Sequence, residues 1–218
     1  MTQDDQKRAA AEAALIYVEP GMVVGVGTGS TSAFFIQGLG QMADKVDGAV
    51  ASSEATAALL KDQGIALYNL PDVGRLPLYV DGADEANPRL QLIKGGGGAL
   101  TREKILAAAS DMFICIVDAG KQVEELGRFP LPVEVVLMAV SLVTGELQKM
   151  GGRATLRGGY LTDNGNAILD VAGLNLTDPV AVESQINQLV GVVTCGLFAG
   201  RPADRLIVGT GSGVEELT

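Results

Sequence analysis

Two stretches of the chain hold most of its candidate chemistry. The first is Asp81-Gly82-Ala83-Asp84, and ten residues beyond Asp84 begins the second, Lys94-Gly95-Gly96-Gly97-Gly98-Ala99-Leu100-Thr101-Arg102-Glu103. Carboxylates can accept and return protons, and an ammonium beside backbone amides can stabilise negative charge as it develops. Asp-Gly is also a favoured turn dipeptide, so the first stretch taken alone reads equally well as a turn. The glycine run is harder to explain structurally. Four consecutive glycines weaken a packed element by about 1 kcal/mol each relative to alanine, which points to a backbone that must approach a ligand closely.

A third stretch, Gly25-Val26-Gly27-Thr28-Gly29-Ser30-Thr31, is neither of the common nucleotide loops. GxGxxG would need glycine where Ser30 stands, and GxxxxGK[ST] has no lysine here. Backbone N–H groups, three hydroxyls and the start of a helix suit a single phosphate group, and alone they also suit a capped strand-to-helix turn. Ser52-Ser53 and Asp118-Ala119-Gly120-Lys121 mark two further polar strand ends.

Other chemistries are excluded by what the chain lacks. It has no histidine, which removes the commonest metal ligand, the Ser-His-Asp and Cys-His systems and the usual base near neutral pH. Carboxylates, lysines and amides must carry the reaction. Cys115 and Cys195 stand in apolar runs without CxxC spacing and read as core thiols of a reducing cytoplasm. The net charge of −10 argues against nucleic acid or an anionic membrane as partner, so an anionic ligand must be held by a few placed cations. The first 20 residues carry Asp4, Asp5, Glu12 and Glu19 and lack a signal core, and no apolar stretch reaches membrane-spanning length, so a cytoplasmic location is expected.

The elements that must position these residues follow from the hydrophobic pattern. At 218 residues, 47% apolar and with 29 glycines, the chain is an ordinary globular protein that buries roughly 70% of its extended surface. A first helix is expected over 2–18. Uniformly apolar runs at 22–27, 48–52, 65–70, 76–82 and 112–118 read as buried parallel strands, with helices at 31–39, 54–61 and 100–109. This is a doubly wound, mostly parallel, Rossmann-like α/β pattern. Ligands of such sheets bind beyond the carboxyl ends of the strands, where the stretches at 25–31, 52–53, 81–84 and 118–121 all fall.

After Phe129-Pro130-Leu131-Pro132 the rhythm changes. Strand 133–138, helix 139–150, strand 153–157, the hairpin turn Asp163-Asn164-Gly165-Asn166, strand 167–171, helix 179–190 and strand 192–198 give βαββαβ, a ferredoxin-like α+β order. The run from Arg205 to Leu217 reads as a strand and tail returning to the first sheet. The expected domains are 1–128 plus 204–218, Rossmann-like and catalytic, and 129–203, ferredoxin-like.

Taken together, "VGVGTGST" (24–31), "YVDGADE" (79–85), "KGGGGALTREKI" (94–105), "FPLPVEV" (129–135), "TDNGN" (162–166) and "GVVTCGLFA" (191–199) resemble the type A ribose-5-phosphate isomerases over essentially the whole chain. One position departs: Gly120 stands where the family usually has serine. The resemblance implies interconversion of D-ribose 5-phosphate and D-ribulose 5-phosphate through an enediolate, in the non-oxidative pentose phosphate pathway, with no metal and no organic cofactor. It implies Glu103 as the base that visits C2 and C1, Asp81 as an aid to ring opening with Asp84 supporting it, and Lys94 with the amides of Gly95, Gly96 and Gly97 as stabilisers of the enediolate oxygens. Gly82 and Ala83 complete the sugar contacts by the same carry-over. Thr28, Gly29, Ser30, Thr31 and Lys121 would hold the phosphate, with Lys7 as a second cation. Family members are oligomers, so a homodimer is expected.

Two other readings compete. A sugar-phosphate deaminase on a similar fold generally uses a histidine in ring opening, which this chain lacks. A non-catalytic sugar-phosphate sensor would not need Asp81, Asp84, Lys94 and Glu103 together.

Overall fold

In the computed structural model, which describes residues 1–218, α1 (Gln3–Ala14) leads through a 3-10 turn to β1 (Val23–Val26), α2 (Ser30–Gly40), β2 (Gly48–Ala51), α3 (Glu54–Asp62), the one-turn α4 (Leu70–Val73) and β3 (Leu76–Asp81). The short strands β4 (Glu85–Ala86) and β5 (Leu92–Ile93) precede α5 (Leu100–Ala109), β6 (Ser110–Asp118) and a 3-10 turn at Ala119–Lys121. Then come β7 (Leu131–Val135), α6 (Val140–Lys149), β8 (Arg153–Leu156), β9 (Ala167–Ala172), α7 (Pro179–Asn187), β10 (Val192–Cys195), β11 (Leu197–Phe198), β12 (Arg205–Gly209) and β13 (Val214–Leu217).

Contacts divide the chain into two units. The first comprises Met1–Ala83, Arg102–Gln122 and Ala203–Thr218. Its six-stranded sheet has the order β13-β12-β6-β3-β1-β2. All neighbours are parallel except the β12–β13 pair. The strands carry apolar side chains on both faces because helices cover the sheet on both sides. Val24, Val26, Leu78, Val80, Ile114 and Ile116 are buried in one cluster with Ala10, Ala14, Phe35 and Leu39 from the helices. The first helix starts at a capping box in which Thr2 and Asp5 each accept the other's backbone N–H, as a Thr-x-x-acid sequence allows. In α3 the N-cap is Ser53, whose hydroxyl accepts from the Thr56 N–H.

The second unit comprises Asp84–Thr101 and Val123–Pro202. Its antiparallel sheet, β10-β7-β9-β8, with α6 and α7, realises βαββαβ over a core of Val133, Val135, Val143, Leu147, Leu169 and Ile186. Asp178 caps α7 with Pro179 at its first position, a residue whose missing N–H costs nothing there.

The observed division differs from the sequence boundary at 128/129. Residues 84–101 and 123–128 belong with the second unit, and Ala203 with the first. The reason is a three-stranded sheet, β11-β5-β4, that two-residue strands build and no periodicity could announce. Glu85, buried in β4, fixes the linker by accepting the N–H groups of Gly127 (2.7 Å) and Phe129 (2.6 Å). The expected strand 65–70 is reduced to an isolated bridge, Ala49 to Leu67, because the chain turns into α4 at Leu70-Pro71, where proline offers no donor to a ladder. The expected strand 192–198 is two strands in two different sheets, separated by Gly196. The returning tail is an antiparallel hairpin rather than one strand.

Candidate active site

In the first unit the residue that organises the strand ends is Asp81, the last of β3 and fully buried. Its Oδ1 accepts from the N–H of Gly82 (2.7 Å), the N–H of Thr28 (3.1 Å) and the Ser32 hydroxyl (3.3 Å), while Oδ2 accepts from the Tyr79 hydroxyl. Burying a carboxylate is costly unless donors surround it, and these four meet that need at both oxygens. Tyr79 and Asp81 lie two apart on one strand and therefore share a face. Burial pushes the Tyr79 phenol well above its ordinary range, and the negative charges of Asp81 and Glu103 push it further. Glu103 is 3% exposed and sits in the first turn of α5, where the free N–H groups of the helix favour an anion.

The loop after β1 is tied to the end of β2 by hydroxyls. Thr28 Oγ1 meets Ser52 Oγ and Ser53 Oγ at 2.8 Å each and Thr56 Oγ1 at 3.0 Å, and Thr56 Oγ1 donates to the Gly27 carbonyl at 2.9 Å. Gly29, with φ at +128°, is the N-cap of α2, so Ser30 and Thr31 stand in its first turn with Ser30 exposed. The N–H of Thr28 is spent on Asp81, so the remaining loop donors toward an anion are the first turn of α2 and its hydroxyls. Lys121 ends the 3-10 turn that follows β6. Asp118 holds that turn by accepting from the Gly120 N–H at 3.0 Å and from Gln3 Nε2 at 3.3 Å, and Ala119 N–H donates to Gln6 Oε1 at 3.4 Å. Lys7, next to Gln6 on α1, keeps its side chain 13% exposed with Asp4 at 3.5 Å. A β-carbon at Gly120 would lie 2.9 Å from Asp118 Oδ1, so a serine there requires the Asp118 carboxylate to shift slightly.

In the second unit, Asp84 Oδ2 accepts the Gly96 N–H at 2.7 Å, and the Asp84 N–H donates to the Ile93 carbonyl at 2.8 Å. Lys94 is 2% exposed; its N–H donates to the Gly196 carbonyl at 2.9 Å and its ammonium stands 5.6 Å from the centre of the Phe198 ring. Gly98 N–H closes a turn onto the Gly95 carbonyl at 2.9 Å. Three positions of the run favour glycine: φ is +104° at 95 and +83° at 98, and a β-carbon at 96 would lie 2.6 Å from an Asp84 oxygen. Behind it, fully buried Glu134 on β7 accepts from Thr101 Oγ1, from Thr162 Oγ1 at 2.8 Å and from the amides of Asn164 (3.1 Å) and Asn166 (2.9 Å), which fixes the 162–166 turn.

Within the first unit the structure thus joins Asp81 with Thr28 and Gly82, and within the second Asp84 and Lys94 with the glycine run. Sequence reasoning assigned no role to Ser32, Thr56, Tyr79, Glu134 or Arg157. Tyr79 was legible from its i−2 relation to Asp81, and Thr56 from its place three residues after the cap Ser53; Glu134 and Arg157 had no local signal. No group of three or more His, Cys, Asp or Glu side chains is arranged to hold a metal ion. No helix is long and apolar enough to cross a membrane.

A family model described as ribose 5-phosphate isomerase A (phosphoriboisomerase A) matches residues 48–213. The chain is similar to the ribose 5-phosphate isomerase A of Neisseria gonorrhoeae, at 49% identity and a TM-score of 0.97, over 99% of this chain and 97% of that one. It is similar to the corresponding protein of Methanocaldococcus jannaschii at 39% identity and a TM-score of 0.95 over 100% of both chains. A D-ribose-5-phosphate isomerase solved in complex with phospho-erythronic acid matches at 38% identity and a TM-score of 0.96, over 100% of this chain and 99% of that one.

Proposed function

The chain belongs to the ribose 5-phosphate isomerase A family, and from that premise we propose that it interconverts D-ribose 5-phosphate and D-ribulose 5-phosphate with Glu103 as the base. The observation that carries the mechanism is Lys94, a buried ammonium at the head of a glycine run whose amides have defined directions. An enediolate needs that combination of fixed charge and backbone donors.

The Glu103 carboxylate takes the proton from C2 of the open-chain aldose. The C2–H electron pair forms the C1–C2 double bond, and the C1 carbonyl pair moves onto O1. Lys94 and the amides of the glycine run stabilise the resulting oxyanion. A proton passes from O2 to O1 within the enediol system, the C2–O2 carbonyl forms, and Glu103 returns its proton to C1. Asp81, held by Tyr79, Thr28 and Gly82, assists ring opening, with Asp84 supporting it. Ser30, Thr31 and Lys121 hold the 5-phosphate together with Gly29 and Lys7, and Thr28 serves that site by fixing the loop through Asp81 and Ser53. That a related isomerase was solved with phospho-erythronic acid, a phosphorylated four-carbon acid, supports a sugar phosphate as the ligand.

We further propose that the protein acts in the cytoplasm, in the non-oxidative pentose phosphate pathway, as a homodimer. Exposed Val136, Leu137, Met138 and Leu142 give the second unit an apolar face suited to a second copy. Light scattering at about twice 22.4 kDa is expected, and a single-chain mass at working concentration overturns the dimer.

The deciding experiment is a coupled assay of ribulose 5-phosphate formation from ribose 5-phosphate. Turnover is expected. Binding without turnover points to a sensor, and release of ammonia from an amino-sugar phosphate points to a deaminase.

A further inference from the structure

Arg157 lies just past β8 in sequence, and its backbone N–H donates to the Ile168 carbonyl at 2.9 Å. Its guanidinium uses two edges for two purposes. Nε and Nη2 meet the Asp170 carboxylate at 2.9 and 2.5 Å, a side-on pair that fixes the plane of the group. Nη1 donates to the carbonyls of Gly95 (3.3 Å) and Gly96 (3.1 Å). The side chain is 20% exposed, so these bonds form largely out of water. Tyr160, three residues on, donates its hydroxyl to the Gly97 carbonyl at 3.2 Å, and the guanidinium carbon lies 5.6 Å from its ring centre.

Pairing with Asp170 alone would serve the hairpin. The third nitrogen is spent on a segment about sixty residues away in sequence, one with no side chains to fix its own conformation. In a trans peptide the carbonyl and the following N–H point in opposite directions, and no peptide here is cis. With the Gly95 and Gly96 carbonyls both on Arg157, the N–H groups of Gly96 and Gly97 both point away from it. The Gly96 N–H arrives at Asp84, 2.7 Å from Oδ2. One peptide unit therefore spans the distance from Arg157 to Asp84, and its neighbour presents the Gly97 N–H away from Arg157 as well.

We propose that Arg157 is a positioning residue for the isomerisation: by holding two carbonyls of the glycine run it directs the Gly96 N–H onto Asp84 and leaves the Gly97 N–H set to face the developing oxyanion. It touches backbone rather than substrate. A lysine cannot replace it, because an ammonium has no planar fork to engage Asp170 and both carbonyls at once. The inference rests on the reading of Lys94 and the glycine run as the oxyanion stabilisers.

The test measures kcat, KM, inhibition by inorganic phosphate and thermal unfolding for Arg157→Lys and Lys94→Ala side by side. Arg157→Lys is expected to lower kcat by about 10- to 100-fold, the cost of a small misplacement of catalytic groups, with KM and phosphate inhibition within about threefold of wild type. A purely structural role would lower the unfolding temperature and leave kcat per folded molecule intact, which overturns the proposal. Wild-type kcat in Arg157→Lys with collapse in Lys94→Ala also overturns it, while leaving the oxyanion reading standing. Wild-type turnover in Lys94→Ala removes the reading beneath it. Should Arg157→Lys fail to fold, Tyr160→Phe, which deletes one hydroxyl from a half-buried ring, is expected to lower kcat at least threefold without a change in unfolding temperature, and an unchanged kcat then counts against the proposal.

Discussion

The carboxylate of Asp81 lies directly over the Cα of Gly27: a β-carbon at position 27 would sit 1.8 Å from the Asp81 carboxyl carbon and from its Oδ1. The end of β1 is thus shaped by a side chain from β3. Its glycine answers to a neighbour rather than to a turn, since Gly27 N–H also donates to the Val80 carbonyl at 2.9 Å.

Gly27→Ala should therefore act on the chemistry through Asp81. The methyl group must displace the carboxylate, breaking its bonds to Thr28 and Gly82. We expect kcat/KM to fall by about 10²-fold and stability by about 1–3 kcal/mol, from overpacking. Steady-state kinetics with denaturant unfolding checks both, and a fully active Gly27→Ala would show that Asp81 does not need this position.

Glu103→Gln keeps the size of the side chain and loses the proton acceptor. Turnover should fall by about 10²–10⁴-fold, the range for a general base, with substrate binding preserved. In D₂O the wild-type enzyme should place deuterium at C1 of ribulose 5-phosphate, diluted where Glu103 carries the same proton across. Near wild-type turnover in the variant would remove Glu103 from the mechanism.

Lys121→Ala should weaken ribose 5-phosphate binding by about 1.5–3 kcal/mol, as expected for hydrogen bonds to a charged group, and affect unphosphorylated ribose far less. Calorimetric titration with both sugars separates a phosphate contact from a structural role, for which both sugars would suffer equally.

Tyr79 provides a pH signature. Burial and the nearby carboxylates hold its phenol well above 10.0 in the folded protein, so the neutral form is favoured on folding. The associated stability is fully present below the unfolded tyrosine pKa and is lost as pH rises above it. Absorbance titration of tyrosinate should leave Tyr79 protonated until alkaline unfolding, whereas Tyr79→Phe removes that late signal. A full complement of tyrosinate in folded protein near pH 10 would contradict the burial of Tyr79.

Most of the fold was legible where the physics is local. Long apolar runs such as 112–118 and the capped helices after Ser53 and Asp178 needed no partner to declare themselves. The strands at Glu85, Leu92 and Leu197 did not, because a two-residue strand is defined by the chain it pairs with. The same contrast governs the residues with chemistry. Lys94 and Glu103 stand in an unusual glycine context that announces itself, and Asp81 stands at a strand end. Arg157 and Glu134 sit in ordinary strand-and-turn sequence, and their importance lies wholly in what they reach across space: carbonyls in one case, four donors in the other.

The place of β12 between β6 and β13 sets a timetable for synthesis. A ribosome delivers β6 and then 86 further residues (205 − 118 − 1) before the first residue of β12 emerges. Throughout that interval the nascent chain presents one side of its longest apolar strand, from Ser110 to Asp118, with unpaired N–H and C=O groups that any other strand could take. The six-stranded sheet is consequently finished only late in translation or after it, and the burden of keeping β6 unoccupied falls on chaperones and on the speed of elongation.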